Sequence, residues 1–254
     1  MKQSFAWKNF FQDDKHEAAH FIRTAAEIGY AGVEFLPQEH WQLAKDHGLM
    51  LAVIGGHKLN SEGLNRREHF PQVQATILAN LGLAVQWGIS TLICFSGNRE
   101  GLDEATGAEI TAEHLRQLAP HFEDAGVTLV LELLNSKLVA GRDYMADHTA
   151  WGVKVCQMVE SPRVRLLYDI FQMQIMEGDI IRTIQHNHAY IAHYHTAGNP
   201  GRNDLDDAQE LNYRAIMQAI AETGYDGYIG HEFHPKGDAL TALKAAFELC
   251  DVKS

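Results

Sequence analysis

A closed (β/α)8 barrel is the fold class that this sequence predicts, and three observations predict it. Short apolar runs alternate with segments of helical period from end to end, the pattern of a parallel sheet covered by helices. Eight such runs can be counted, from Ser4–Trp7 to Gly227–Glu232. The length of 254 residues, 46% of them hydrophobic, is enough for one core and fits the ~250 residues of a barrel of this kind. The chain is therefore read as a single domain over residues 1–254. An open doubly wound sheet has about five or six strands, and its dinucleotide-binding form carries GxGxxG after the first of them. No such motif follows Trp7.

The candidate strands are Ser4–Trp7, Gly32–Leu36, Met50–Ile54, Thr91–Phe95, Thr128–Glu132, Arg165–Asp169, Ile191–His195 and Gly227–Glu232. Between them, Lys15–Ile28 sets Ala18, Phe21, Ile22, Ala25 and Ile28 on one helical stripe. Similar stripes run through Phe70–Trp87, Ala112–Asp124, Thr149–Val159, Ile180–Asn187, Tyr213–Thr223 and Ala239–Leu249. Gly29, Gly88, Gly126 and Gly224 each follow a stripe, where a left-handed cap is wanted. The longest loops are expected at His57–Asn65, Ser96–Ile110, Leu133–His148 and Thr196–Gln209. All four would lie at the C-terminal ends of strands, where barrel enzymes build their sites.

A net charge of −12 and the absence of any Lys/Arg block argue against nucleic acid and against an anionic membrane as partners. Cys94, Cys156 and Cys250 form no CxxC pair, which suits reduced thiols in a cytoplasmic protein. No stretch approaches the ~20 apolar residues of a membrane span.

Four consecutive strands end on a polar residue after an apolar run: Glu132, Asp169, His195 and Glu232. In a barrel their tips form one arc, and alternation along each strand can aim all four inward. Any single acid there could simply cap the next helix, and His195 alone could be a hydrogen-bonded loop histidine. Capping does not account for four in succession. Three carboxylates and an imidazole at one point would repel without a cation, and mixed oxygen and nitrogen donors suit Mn²⁺, Co²⁺ or Mg²⁺, with Zn²⁺ as a further fit.

The segments Val130–Lys137, Leu166–Asp179, His193–Tyr213 and Gly224–Asp238, with their MEGD, NPGR and HEFHPKGD stretches, resemble hydroxypyruvate isomerases. These belong to the xylose-isomerase-like TIM barrel superfamily, which also holds the ketose 3-epimerases. The resemblance covers essentially the whole chain. It implies the metal ligands Glu132, Asp169, His195 and Glu232, with Glu132 and Glu232 also serving as the acid/base pair. Many hydroxypyruvate isomerases have Gln as the third ligand, whereas the epimerase branch has His, as His195 is here. Both branches usually carry DxxH after the aspartate, but this chain reads Asp169-Ile-Phe-Gln172. Gln172 can hydrogen-bond a substrate oxygen but cannot titrate near neutral pH.

The chemistry implied is proton transfer in a small hydroxy-keto acid or sugar. A carboxylate removes the proton beside the carbonyl to give a cis-enediolate, while a bound cation stabilises the charge. Return of the proton to the neighbouring carbon isomerises; return to the same carbon from the other face epimerises. Arg202, in the NPGR loop, matches a family arginine that contacts substrate oxygens, the other reading being a solvated loop residue. Lys137 is read as a ligand contact or a surface charge, and His57 as a residue reaching the bowl or one with a capping or surface role. Glu34, inside a strand, needs either a buried hydrogen-bond network or a substrate contact. Trp7 and Phe171 wall the pocket or belong to the core. His193 is read as a satisfied interior histidine.

The leading expectation is interconversion of hydroxypyruvate and tartronate semialdehyde (2-hydroxy-3-oxopropanoate), or of a related small keto acid or sugar. A ketose 3-epimerase of the tagatose or allulose type is the alternative. A zinc-dependent endonuclease of the same superfamily and a non-enzymatic binding barrel are more distant ones. Relatives of this kind are often dimers or tetramers.

Overall fold

The computed structural model describes residues 1–58, 62–138 and 143–252. Positions 59–61 of the expected loop His57–Asn65 and 139–142 of the loop Leu133–His148 lie outside the described residues. Eight parallel strands close into a barrel in sequence order: β1 Lys2–Ala6, β2 Gly32–Glu34, β3 Met50–Gly55, β4 Thr91–Cys94, β5 Thr128–Glu132, β6 Val164–Asp169, β7 Ile191–Thr196 and β8 Tyr228–His231. The helices are α1 Trp7–Phe10, α2 Ala18–Ile28, α3 Trp41–Asp46, α4 Phe70–Trp87, α5 Glu104–Ala125, α6 Thr149–Val159, α7 Ile170–Met176, α8 Ile180–Asn187, α9 Tyr213–Glu222 and α10 Ala239–Cys250.

Internal contacts divide the chain into two compact units. One contains Met1–Ala52, Asp179–His188 and His193–Ser254. Here β1 lies between β2 and β8, with Ser4 opposite both Gly32 and Gly230, and β7 sets His195 opposite Gly230. The amphipathic α2 buries Phe21, Ile22 and Ala25, and the rings of Phe5, Phe10, Phe21, Tyr30 and Phe233 interlock beneath it. The other unit contains Val53–Gly178 and Ala189–Ala192. Its strands β4, β5 and β6 pair in register, with Leu92 opposite Leu129 and Glu132 opposite Leu167. These central strands read as continuous apolar runs because both their faces are covered.

Most expected elements appear within one or two residues of their predicted ends, and three differences stand out. Trp7 opens α1 instead of closing β1. Glu232 falls just past β8 instead of inside it. Helix α5 begins eight residues before the expected Ala112, because Asp103 caps it by accepting from the Thr106 amide at 3.0 Å. All three cysteines are free and buried, Cys94 and Cys156 in the second unit and Cys250 in the first. Burial pushes the thiols of Cys156 and Cys250 up to about 12, and that of Cys94 higher still.

Candidate functional site

Glu232 leaves β8 as a buried carboxylate surrounded by basic groups. Lys8 Nζ stands 2.9 Å from Oε1, Arg202 donates to Oε2, and His195 Nδ1 lies 3.3 Å from Oε2. Burial works to raise the Glu232 pKa, but His195, Arg202 and Lys8 together outweigh it and hold the group well below the usual carboxylate range. Lys8 was not singled out in the sequence. It occupies the position after Trp7, on the short helix α1, and its ammonium sits 4.4 Å from the Phe35 ring centroid.

His195 ends its inward reach on this carboxylate and turns its other nitrogen to Glu34, Nε2 to Oε2 at 2.9 Å. Glu34 is fully buried. Its Oε1 accepts from Ser4 Oγ at 2.5 Å and lies 3.0 Å from His193 Nε2. The hydrogen-bond network expected of an interior glutamate is thus present, and His193 is part of it.

Glu132 and Asp169 close β5 and β6. The Tyr144 hydroxyl donates to the Glu132 carbonyl at 3.0 Å and accepts from the Ser96 amide at 2.9 Å, tying the exit of β4 to the end of β5. Arg99 holds the same loops together, donating to the Tyr144 carbonyl at 2.7 Å and pairing with Asp147 at 2.8 Å. Asp169 caps α7 by accepting from the Gln172 amide at 3.1 Å. The Gln172 side-chain carbonyl accepts from the Asn135 amide at 3.0 Å and from the Asn135 side chain as well. That oxygen is therefore committed within the protein.

Glu132 and Asp169 of the second unit and His195 and Glu232 of the first are all buried. Three carboxylates and one imidazole offer the mixed oxygen and nitrogen donors that suit a divalent cation, and buried carboxylates are costly unless a cation balances them.

The remaining expected residues have partners of their own. Trp7 is 4% exposed and stacks on Phe11 at 4.1 Å. Phe171 is buried on α7. Lys137 Nζ donates to the Ile175 carbonyl at 2.7 Å, at the C-terminal end of α7, where a cation is favoured. His57 accepts the Phe95 amide on Nε2 at 2.9 Å, capping the exit of β4.

Burial lowers the His57 pKa from 6.5 to about 4. Because the folded pKa is the lower one, the unfolded chain binds more protons between these values and stability falls as pH drops from 6.5 towards 4. His57→Gln keeps an acceptor for the Phe95 amide and removes the titration. It is expected to flatten the denaturant-midpoint profile over this range by up to about 1.4 kcal/mol per pH unit, one proton's worth. Parallel profiles for the two proteins would show that His57 does not titrate in this way.

Comparison with known proteins matches residues 22–250 to the family described as xylose isomerase-like TIM barrel. The 2-oxo-tetronate isomerase of Cupriavidus necator is 31% identical over 247 residues, covering 91% of this chain and 92% of its own. A human protein named "Putative hydroxypyruvate isomerase" is 28% identical over 241 residues, covering 87% and 86%. Among solved structures, that described as AP endonuclease, family 2 from Brucella melitensis superposes with a TM-score of 0.82 at 27% identity, covering 96% and 97%. The chain belongs to the xylose isomerase-like TIM barrel family. Within it, the chain is an isomerase.

Proposed function

We propose that the protein is a metal-dependent isomerase of small α-hydroxy keto acids, interconverting hydroxypyruvate and 2-hydroxy-3-oxopropanoate or a close homologue such as a 2-oxo-tetronate. The observation that carries this reading is that four consecutive strands each bring a buried ligand-type residue to their C-terminal end: Glu132, Asp169, His195 and Glu232. A divalent ion held there would act as a Lewis acid on the substrate carbonyl. Glu132 and Glu232 carry the proton between the two carbons. The neighbours of Glu232 hold it ionised, the form that can take a proton, and at the same time lower its basicity. Arg202, 30% exposed beside Glu232, carries a fork of donors suited to an enediolate or substrate carboxylate. Lys8 adds a second positive charge on the same side, which favours an acidic substrate over a neutral sugar.

His195 is the feature that favours the second reading, a ketose 3-epimerase, and one experiment separates the two. Purified protein is stripped with chelator, and hydroxypyruvate, 2-oxo-tetronate, pentuloses and fructose-type ketoses are assayed with and without Mn²⁺, Co²⁺, Mg²⁺ or Zn²⁺. The expected result is turnover of the acids, abolished by stripping and restored by metal. Turnover of neutral ketoses alone would favour the epimerase; turnover by stripped protein would overturn the metal-dependent mechanism. An endonuclease wants a basic groove, and the net charge of −12 does not supply one.

A further inference from the structure

Glu34 takes no part in the proton transfer proposed above, yet it is the most thoroughly enclosed acid in its unit and touches one of the four candidate ligands. Both of its oxygens are engaged by donors: Ser4 Oγ and His193 Nε2 on Oε1, and His195 Nε2 on Oε2. A carboxylate accepts and has no proton to give, so each imidazole must present N–H at Nε2. A neutral imidazole has a single N–H. With that proton on Nε2, the lone pair of His195 is on Nδ1, the nitrogen 3.3 Å from Glu232 Oε2.

We propose that Glu34 is a positioning residue, which by accepting a hydrogen bond from His195 Nε2–H fixes the tautomer and ring orientation that turn Nδ1 toward Glu232, its fellow candidate ligand. The inference rests on the metal-centre reading and deepens it. A carboxylate behind a ligating histidine is a recurrent way to raise the basicity of the ligand and hold its ring.

The backbone has been cleared to allow this pair. Gly230 lies opposite both Ser4 and His195 across the sheet. A Cβ at that position would stand 2.3 Å from Glu34 Oε1 and 2.9 Å from His195 Cδ2. A side chain on β8 would therefore push the carboxylate off the imidazole. The perpendicular rings of His193 and His195, 5.1 Å apart at 86°, bring both Nε2 atoms to one carboxylate. Glu34, His193 and His195 could alternatively hold an ion of their own. Separations of 2.9–3.0 Å between nitrogen and oxygen are direct hydrogen bonds and favour the network.

The test compares wild-type protein with Glu34→Gln, which keeps the shape but adds a donor where two N–H groups already point. Stripped proteins are titrated with Co²⁺, following the visible absorption of the bound ion and its stoichiometry. Wild type is expected to bind one Co²⁺ per chain, and Glu34→Gln to bind about 10–100-fold more weakly. In ¹⁵N-histidine-labelled wild type, His195 is expected to appear as the Nε2–H tautomer, with its Nε2–H signal displaced in the variant. A merely space-filling Glu34 would move neither the affinity nor the tautomer. Failure of wild type to take up any metal would overturn the metal-centre reading and this inference with it. One ion bound equally tightly by both proteins would overturn the inference alone. Two ions per chain in wild type would make the Glu34 cluster a second metal site and overturn it too. Should Glu34→Gln fail to fold, the wild-type spectrum still decides, since an Nδ1–H tautomer at His195 contradicts the proposal.

Discussion

Glu232→Gln is expected to lower kcat/KM for the productive substrate by at least about a thousandfold while leaving the protein folded. Loss of a positioned acid or base alone costs about 10²–10⁴-fold, and the substitution also weakens one of four candidate ligands to the metal. The amide cannot accept a proton and can present an N–H2 group where Arg202 donated to a carboxylate. Stability should change little, because Lys8 at 59% and Arg202 at 30% side-chain exposure can turn to water. The check is steady-state kinetics together with the thermal midpoint, expected within a few degrees of wild type. An active Glu232→Gln protein, within tenfold of wild type at equal metal loading, would remove Glu232 from the chemistry.

Gly63→Ala is expected to have the largest effect on stability, a loss of at least about 3 kcal/mol, at the upper end of overpacking costs. Residues 63–65 run along the exit of β4, where the Leu64 amide donates to the Phe95 carbonyl at 3.1 Å and the Asn65 amide to the Ser96 carbonyl at 2.8 Å. The Asn65 side chain adds a bond to the Asn98 carbonyl at 2.6 Å. A Cβ on Gly63 would meet Gly97 N at 2.3 Å, Ser96 C at 2.4 Å and Ser96 O at 2.5 Å. All three are backbone atoms with no rotamer in which to escape, so the two segments must separate. Gly82→Ala, inside α4, provides the opposite sign: an added Cβ there meets no described atom within 4 Å. Removing a glycine from a helix interior should stabilise by about 0.5–1 kcal/mol. Urea midpoints of the two variants test both; a Gly63→Ala midpoint at or above wild type would mean that the segment yields freely.

The sequence disclosed the barrel more completely than the site, for a reason visible in particular residues. The strands are buried on both faces and so read as apolar runs, and Thr128–Glu132 was legible to the residue. Helices α1, α3 and α7 are only four, six and seven residues long, too short for a helical period to register. The four candidate ligands stand out in the sequence because each is a polar residue interrupting an apolar run. Their supporting groups do not. Glu34 meets His193 across 159 positions of sequence and Tyr144 meets Ser96 across 48, and no local pattern marks such partners. Lys8 lies next to a strand end like the ligands, and the same rule applied to β1 would have found it. The identity of residue 172 was legible as a departure, but its consequence, a side-chain carbonyl held by Asn135, depends on a loop whose course the sequence does not announce.

The three enclosed thiols give the fold an internal clock. Alkylating and disulfide-exchange reagents attack the thiolate, and they need access to it. Cys94, Cys156 and Cys250 are at most 3% exposed, and burial raises every one of their pKa values. Modification at neutral pH must therefore wait for the surrounding structure to open. Its rate then measures the frequency of opening rather than the chemistry of sulfur. Cys250 sits on α10 of the first unit, while Cys94 and Cys156 belong to the second. Mass-resolved labelling of the three sites thus reads the opening of each unit separately, in the unaltered protein and without an introduced probe.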